Sequence, residues 1–330
     1  MNIVAFLVIA FMLTAYVMLD GYDLGVAAIA PFAAKSEEER AAAMASIGPF
    51  WNGNEVWLIA AGGALFALFP EAYASSFSGF YLPLMVVLWL LMFRGIAMEL
   101  RGHLESPLWH AFWDFAFTAS SVLLIVVFGV ALGNLVRGVP LDASGYFQGT
   151  FAYLLNPYAV FVGVFAIAVL SLHGATWLAW ASRGAIAQRG NALSQRLWWG
   201  VLVLYLAVSA MTFVTRGMPS GVNAIFVMPA LSLAALIACW YFARAGAARR
   251  AFAASSVFVA SLVATAAWTM FPYLLPAYPA GHGGLSIYAA APSPVALFSA
   301  LAVIVIGIAG VILYATFVLG KMLPKTRAGE

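Results

Sequence analysis

Charge is what this sequence has least of. Only 8% of its 330 residues are Asp, Glu, Lys or Arg, while 65% are hydrophobic. An average soluble domain carries roughly 25% charged residues. A chain this size with so few could not cover its surface in water, so hydrocarbon has to be its solvent. Cysteine is nearly absent: Cys239 stands alone in an apolar run, which excludes a disulfide framework and a thiolate metal site. With four histidines, a multi-histidine metal centre is excluded by count. The net charge of +3 gives no argument for nucleic acid. No loop is long enough to form a soluble domain, and no tandem or clear inverted repeat is visible. The first apolar segment lacks a positive n-region and runs past Asp20 and Asp23, so it reads as a retained span and not as a cleaved signal peptide.

What is present is a succession of apolar runs, near residues 3–31, 54–73, 76–98, 112–136, 152–181, 197–215, 222–243, 252–273 and 295–320. Each approaches or exceeds the roughly 20 residues that cross about 30 Å of hydrocarbon. The expected fold is therefore an all-α integral membrane protein, a single domain with about nine transmembrane helices. The second and third runs are joined only by Phe69-Pro70-Glu71. The longest water-exposed stretches are Gly138–Phe151 and Pro272–Pro294, the latter containing Gly281-His282-Gly283-Gly284.

Basic residues orient such a chain, because loops rich in Lys and Arg stay in the cytoplasm. With the N-terminus outside, one side collects Lys35, Arg40, Arg94, Arg101, Arg183, Arg189, Arg196, Arg244, Arg249, Arg250, Lys321, Lys325 and Arg327. The other side holds Arg137 and Arg216 alone. Thirteen against two, of the 15 Lys and Arg, predicts an outside N-terminus, a cytoplasmic C-terminus and an odd number of spans.

The acids gather on that same side. Asp20 and Asp23 project from nearby faces toward the cytoplasmic end of the first span. Glu55 opens the second span at that level, Glu99 closes the third and Asp114 opens the fourth, with Arg94 and Arg101 in the same layer. Charges within a bilayer face a partner, a bundle interior or water. Two readings follow: carboxylates that pass protons inward or hold a cation, or a layer of acid–arginine pairs that locks the first four helices. His173, in Leu172-His173-Gly174-Ala175, is the one histidine well inside a span. A haem held between helices needs inward ligands at matched depth, so His173 reads as a packing residue. His103 and His110 lie near the interface and His282 lies in an outer loop. Trp51, Trp57, Trp198 and Trp199 fall near span ends, where interface anchoring is the expected role and a lipid or quinone contact the alternative. Gly62-Gly63 would let a neighbouring helix approach closely.

Particular strings add to this. Leu19-Asp20-Gly21-Tyr22-Asp23-Leu24-Gly25-Val26 resembles the opening signature of subunit II of cytochrome bd-type quinol oxidases. Trp51-Asn52-Gly53-Asn54-Glu55-Val56-Trp57-Leu58, followed by Gly62-Gly63-Ala64-Leu65-Phe66-Ala67, is similar to a second signature. Phe69-Pro70-Glu71-Ala72-Tyr73, Phe93-Arg94-Gly95-Ile96-Ala97 and Leu172-His173-Gly174-Ala175-Thr176 continue the likeness, which is dense over residues 19–101 and sparse after 180. The resemblance implies a heterodimer with a larger haem-bearing subunit I in the bacterial cytoplasmic membrane, sometimes joined by a small accessory subunit. The complex would be an electrogenic quinol oxidase that reduces dioxygen to water with cytoplasmic protons. Two b-type haems and one d-type haem would be ligated by subunit I, with no catalytic residue in this chain. Subunit II would support haem assembly, line proton or oxygen routes, and take ubiquinone or another quinone as a bound lipid. The same likeness implies two four-helix bundles, at about 1–145 and 146–290, with a peripheral helix and tail at 291–330. It leaves the subfamily open, the cyanide-insensitive type included.

One departure matters. Relatives carry an aspartate implicated in a proton route where this sequence has Asn52, which cannot titrate. Glu55, with Asp20 and Asp23, is the expected ionisable substitute. Asn52, Glu99 and Asp114 complete the candidate path, while Trp51, Trp57, Arg94, Arg101 and His173 are the structural or interface candidates. Without the strings, the same acids would suit a proton- or sodium-coupled transporter, and a purely structural scaffold would use them only as pairs.

Overall fold

The computed structural model describes residues 1–216, 227–279 and 283–322, apart from the side chains of 315 and 318–322. His282, Lys325, Arg327 and the beginning of the run expected at 222 lie outside the described residues. The chain begins with α1 (Asn2–Ala33), a helix of 32 residues and about 48 Å. A short surface helix follows, α2 (Glu37–Ile47). Its start is written locally: Ser36 accepts from the Glu39 N–H while Glu39 returns to the Ser36 N–H. Glu37, Glu38 and Glu39 oppose the positive end of its dipole.

The second expected span, 54–73, is two helices, α3 (Trp51–Leu68) and α4 (Pro70–Gly79). Pro70 takes the first position of α4 and forces Phe69 out of helical geometry, at φ −146° and ψ 69°. α5 (Tyr81–Leu100) runs into a 3₁₀ turn, Arg101–His103. α6 (Pro107–Arg137) again starts on a proline and stops at Gly138, whose φ of 95° suits glycine alone. The run expected from 152 divides into the single turn α7 (Phe151–Leu154) and α8 (Pro157–Ala181), because the Asn156 side chain caps the Ala159 N–H. Then come α9 (Gly184–Arg216), α10 (Val227–Arg244), α11 (Ala248–Met270) and α12 (Pro294–Met322). Between the last two lies a small antiparallel hairpin, β1 (Tyr273–Pro276) with β2 (Gly284–Ser286), pairing Tyr273 with Ser286 and Pro276 with Gly284.

Among the described residues, 8 helices are long and apolar enough to cross a membrane. The expected span that falls short is α3, whose 18 residues begin with Trp51-Asn52-Gly53-Asn54-Glu55. Small residues set how the spans pack. A methyl group at Gly25 would strike the Leu170 carbonyl, and one at Gly174 would lie 2.8 Å from the Gly25 Cα. The backbones of α1 and α8 therefore touch at this crossing, as bare glycines permit. α8 also packs on α6, α9 and α11, and becomes the most enclosed span. α12 lies outermost, touching α3 and α1 through Leu297 and Leu301 and leaving most of its surface exposed.

The Arg94 carboxylate cluster

The Gly25–Gly174 contact fixes how α1 is rotated, and so what its acids face. Asp20 and Asp23 are both 0% exposed, and between α1 and α3 they meet Arg94 from α5, itself 0% exposed. Arg94 Nη2 lies 2.7 Å from Asp20 Oδ1 and 3.7 Å from Asp23 Oδ2. Its Nη1 donates to Glu55 Oε1 at 2.7 Å. One guanidinium thus serves three carboxylates. Neither Asp20 oxygen accepts a well-angled hydrogen bond among the described residues, nor does Asp23 Oδ1. The other oxygen of Asp23 accepts from Asn54 Nδ2 at 2.8 Å, and that amide also reaches the Tyr22 hydroxyl at 3.0 Å. Asn54 is absent from the sequence candidates. Its signal was its spacing: it precedes Glu55, and two residues separate it from Trp57, which also faces inward.

Asn52 falls elsewhere. It is exposed on the first turn of α3, while Asn54 is buried and Glu55 is partly so. Glu55 is the one acid of the cluster with an outlet, its side chain 19% exposed between α3 and α5.

The expectation of one charged layer is corrected to two. Arg94 and Arg101 are seven residues apart, about 10 Å along α5 and the turn that follows it. Arg101 holds Asp114 through Nε at 2.6 Å and Nη2 at 3.3 Å, and reaches Glu37 on α2 at 2.6 Å. His110 Nδ1 lies 2.7 Å from the same Glu37 oxygen. Glu37 thus joins α2, α6 and the turn after α5. Glu37 is absent from the sequence candidates. Glu99 joins neither group: its side chain is exposed, and only its carbonyl meets His103, at 2.9 Å. Arg94 likewise leaves the tally of loop charges, since it is buried within a span.

His173 is buried where α8 meets α1 and α11. Its Nδ1 meets Ser255 Oγ at 2.8 Å, its Nε2 meets the Met18 carbonyl at 3.0 Å, and its ring stacks on Phe252 at 5.0 Å. Both nitrogens are engaged. His103 and His110 are tied to Glu99 and Glu37 at one end of the bundle. With both nitrogens held, His173 has none free for a haem iron. Two tryptophans expected as anchors are core instead: Trp57 packs edge-on to Phe11 at 5.9 Å, and Trp198 donates to the Leu236 carbonyl at 2.7 Å. Trp199 is exposed, and Trp51 lies against Gly95.

Chemically, three acids and one guanidinium sum to −2 if all are ionised. Uncompensated charge in a dry interior costs several kcal/mol per ion. Bound protons or a cation would balance such a group, and Glu55 is its one partly open member.

Residues 1–322 match the family described as cytochrome bd terminal oxidase subunit II. A probable cytochrome oxidase subunit 2 of Haemophilus influenzae is 33% identical over 298 residues, covering 80% of this chain and 79% of that one. The cytochrome bd-I ubiquinol oxidase subunit 2 of Escherichia coli is 30% identical over 350 residues, covering 96% and 92%. In fold, a chain of the bd oxidase structure from Geobacillus thermodenitrificans superposes with a TM-score of 0.76 at 17% identity, covering 97% of this chain and 98% of that one. With apolar spans, signature glycines and a matched length in agreement, the chain belongs to the cytochrome bd terminal oxidase subunit II family, a multi-pass protein of the bacterial inner membrane.

Proposed function

We propose that, within the terminal quinol oxidase to which it contributes, this chain holds protons for dioxygen reduction at Asp20, Asp23 and Glu55. The observation that carries the reading is the excess of buried carboxylate over guanidinium around Arg94. Glu55 exchanges protons at the surface between α3 and α5, Asn54 orients Asp23, and Arg94 keeps the three acids in reach of one another. Asp114, with Glu37 and His110, marks the water-facing mouth, where Glu99 also lies. Asn52 takes no part in proton transfer, and Glu55 does the work an acid at 52 would do.

Family membership implies haem in the complex. The engagement of both His173 nitrogens supports placing two b-type haems and one d-type haem on a larger subunit I, which supplies the redox chemistry. The chain would cross nine times with α3 counted, with the N-terminus outside and the C-terminus in the cytoplasm. Residue 145, the proposed bundle boundary, lies in the loop between α6 and α7. α12 is the peripheral helix. A small accessory subunit and a structural quinone would complete the assembly.

The test is Glu55→Gln in the intact complex, with quinol-driven oxygen consumption and proton uptake measured together. The expected outcome is a loss of turnover of about a hundredfold or more with haem content retained, within the roughly 10²–10⁴-fold that a positioned proton carrier contributes. Unchanged turnover and uptake would sink the proposal.

A further inference from the structure

The second half of the chain has a charge problem that the proton reading does not touch. No Asp or Glu occurs between residues 143 and 329, although Arg183, Arg189, Arg196, Arg216, Arg244, Arg249 and Arg250 all do. Arg189 solves this by borrowing Glu39 from the first half, an ion pair across the molecule. Among the described residues no carboxylate forms an ion pair with any of the other six arginines, Arg196 and Arg244 included.

These two arginines face a single cavity of about 380 Å³ between α9 and α10. Trp199 and Trp240 line it beside them, with Asn191 and Gln195 adding side-chain amides. Its walls are built. Trp198 is buried, donates to the Leu236 carbonyl at 2.7 Å, and supports Trp199 at 4.8 Å and Trp240 at 5.5 Å between ring centroids. The Arg244 guanidinium lies 5.0 Å from the Trp240 ring centre, and Gln195 Nε2 reaches the Ala243 carbonyl at 3.4 Å. Stacking on Trp240 and complementing the α10 dipole orient Arg244. Both arginines are exposed, so their guanidinium groups stay open to an anion that enters the cavity.

The depth of the cavity decides which anion. Along α9 the sequence changes at Arg196: Gly184–Arg196 is polar-rich, and from Leu197 onward it is almost wholly apolar. Paired arginines with an exposed tryptophan at such a boundary match the headgroup level of a bilayer. A basic pocket between helices at that level suits a phospholipid headgroup. We infer that the α9–α10 cavity binds the phosphate group of an anionic phospholipid, through Arg196 and Arg244, with Trp199 and Trp240 against the glycerol and upper acyl chains.

The experiment uses the intact oxidase in phosphatidylcholine nanodiscs containing a small fraction of spin-labelled phosphatidylglycerol. Wild type is compared with Arg196→Gln/Arg244→Gln and with Arg249→Gln/Arg250→Gln, which removes the same charge outside the cavity. Selectivity for phosphatidylglycerol should fall roughly 30-fold in the first double variant, at about fivefold per arginine, and hold in the second. Equal loss in both variants, or loss in neither, would overturn the site. Radiolabelled inorganic phosphate separates the two sources of the group. Phosphate binding that depends on Arg196 and Arg244, with no lipid selectivity, would overturn the lipid assignment. Photolabelling of wild type by a diazirine phosphatidylglycerol needs no variant to fold: adducts should fall within 188–199 and 240–244, and adducts confined elsewhere would refute the inference.

Discussion

Replacing Gly25 with alanine tests whether the α1–α8 crossing holds the acid cluster in register. The added methyl would lie 2.8 Å from the Leu170 carbonyl carbon and 2.9 Å from the Gly174 nitrogen, with the Leu170 oxygen closer still. Relaxed contacts need about 3.5–4.0 Å, and the oxygen contact is the tightest, so the helices must separate by about 1.5–2 Å. The hydrogen bond from His173 Nε2 to the Met18 carbonyl, 3.0 Å in the native packing, would then pass beyond useful reach. Overpacking costs about 1–3 kcal/mol and the lost bond about 1 kcal/mol, together about 2–4 kcal/mol. Gly200→Ala is the matched control: nothing lies within 4 Å of its added carbon, and alanine gains up to about 1 kcal/mol of helix propensity. The assay is the fraction of assembled, haem-bearing complex surviving graded heating in detergent. A Gly25→Ala complex as durable as Gly200→Ala would refute the argument.

Two other perturbations have defined outcomes. His173→Phe keeps the stack on Phe252 but removes the hydrogen bonds to Ser255 and to the Met18 carbonyl. It should lower stability by about 1–3 kcal/mol in thermal melts while leaving the visible spectrum per assembled complex unchanged, and a lost haem band would contradict the packing role. Glu39, outside the spans, is held below its ordinary 4.5 by the Lys35 backbone N–H and by Arg189. The ion pair and hydrogen bond therefore add stability in full above 4.5, and that benefit is lost as pH falls from there through the lowered folded value. Amide protection at the start of α2 should weaken below about pH 4.5 in hydrogen exchange, and Glu39→Gln should remove that dependence.

How much of this could be read beforehand depended on the range of the cause. Spans follow from composition, which each segment carries by itself, and so α1, α6 and α12 fall where apolar runs placed them. The division of 54–73 was also local: Pro70 bars Phe69 from helix, and the short joint at Phe69-Pro70-Glu71 had marked the spot. Which acids share a guanidinium is not local. Asp114 and Asp20 looked alike, yet one belongs to Arg101 and the other to Arg94, because two helical turns separate those arginines. Asn52 and Asn54 differ by two positions and face opposite ways, a choice made by the rotation of α3 against α1. Trp57 and Trp198 matched Trp199 in position along their spans and differ only in which neighbour covers them.

The bonds that reach back to α1 also order events in time. Met18 and Ala33 offer carbonyls to His173 and Arg189, 155 and 156 residues later in the chain. At roughly 5–20 residues per second of synthesis, each carbonyl waits about 8–30 s before its partner is made. The first helix to enter the membrane is thus among the last to be completed, and the nascent first bundle must keep its flank open until α8 and α9 arrive. An insertion or quality-control factor that shields polar backbone in membranes would have that interval in which to act.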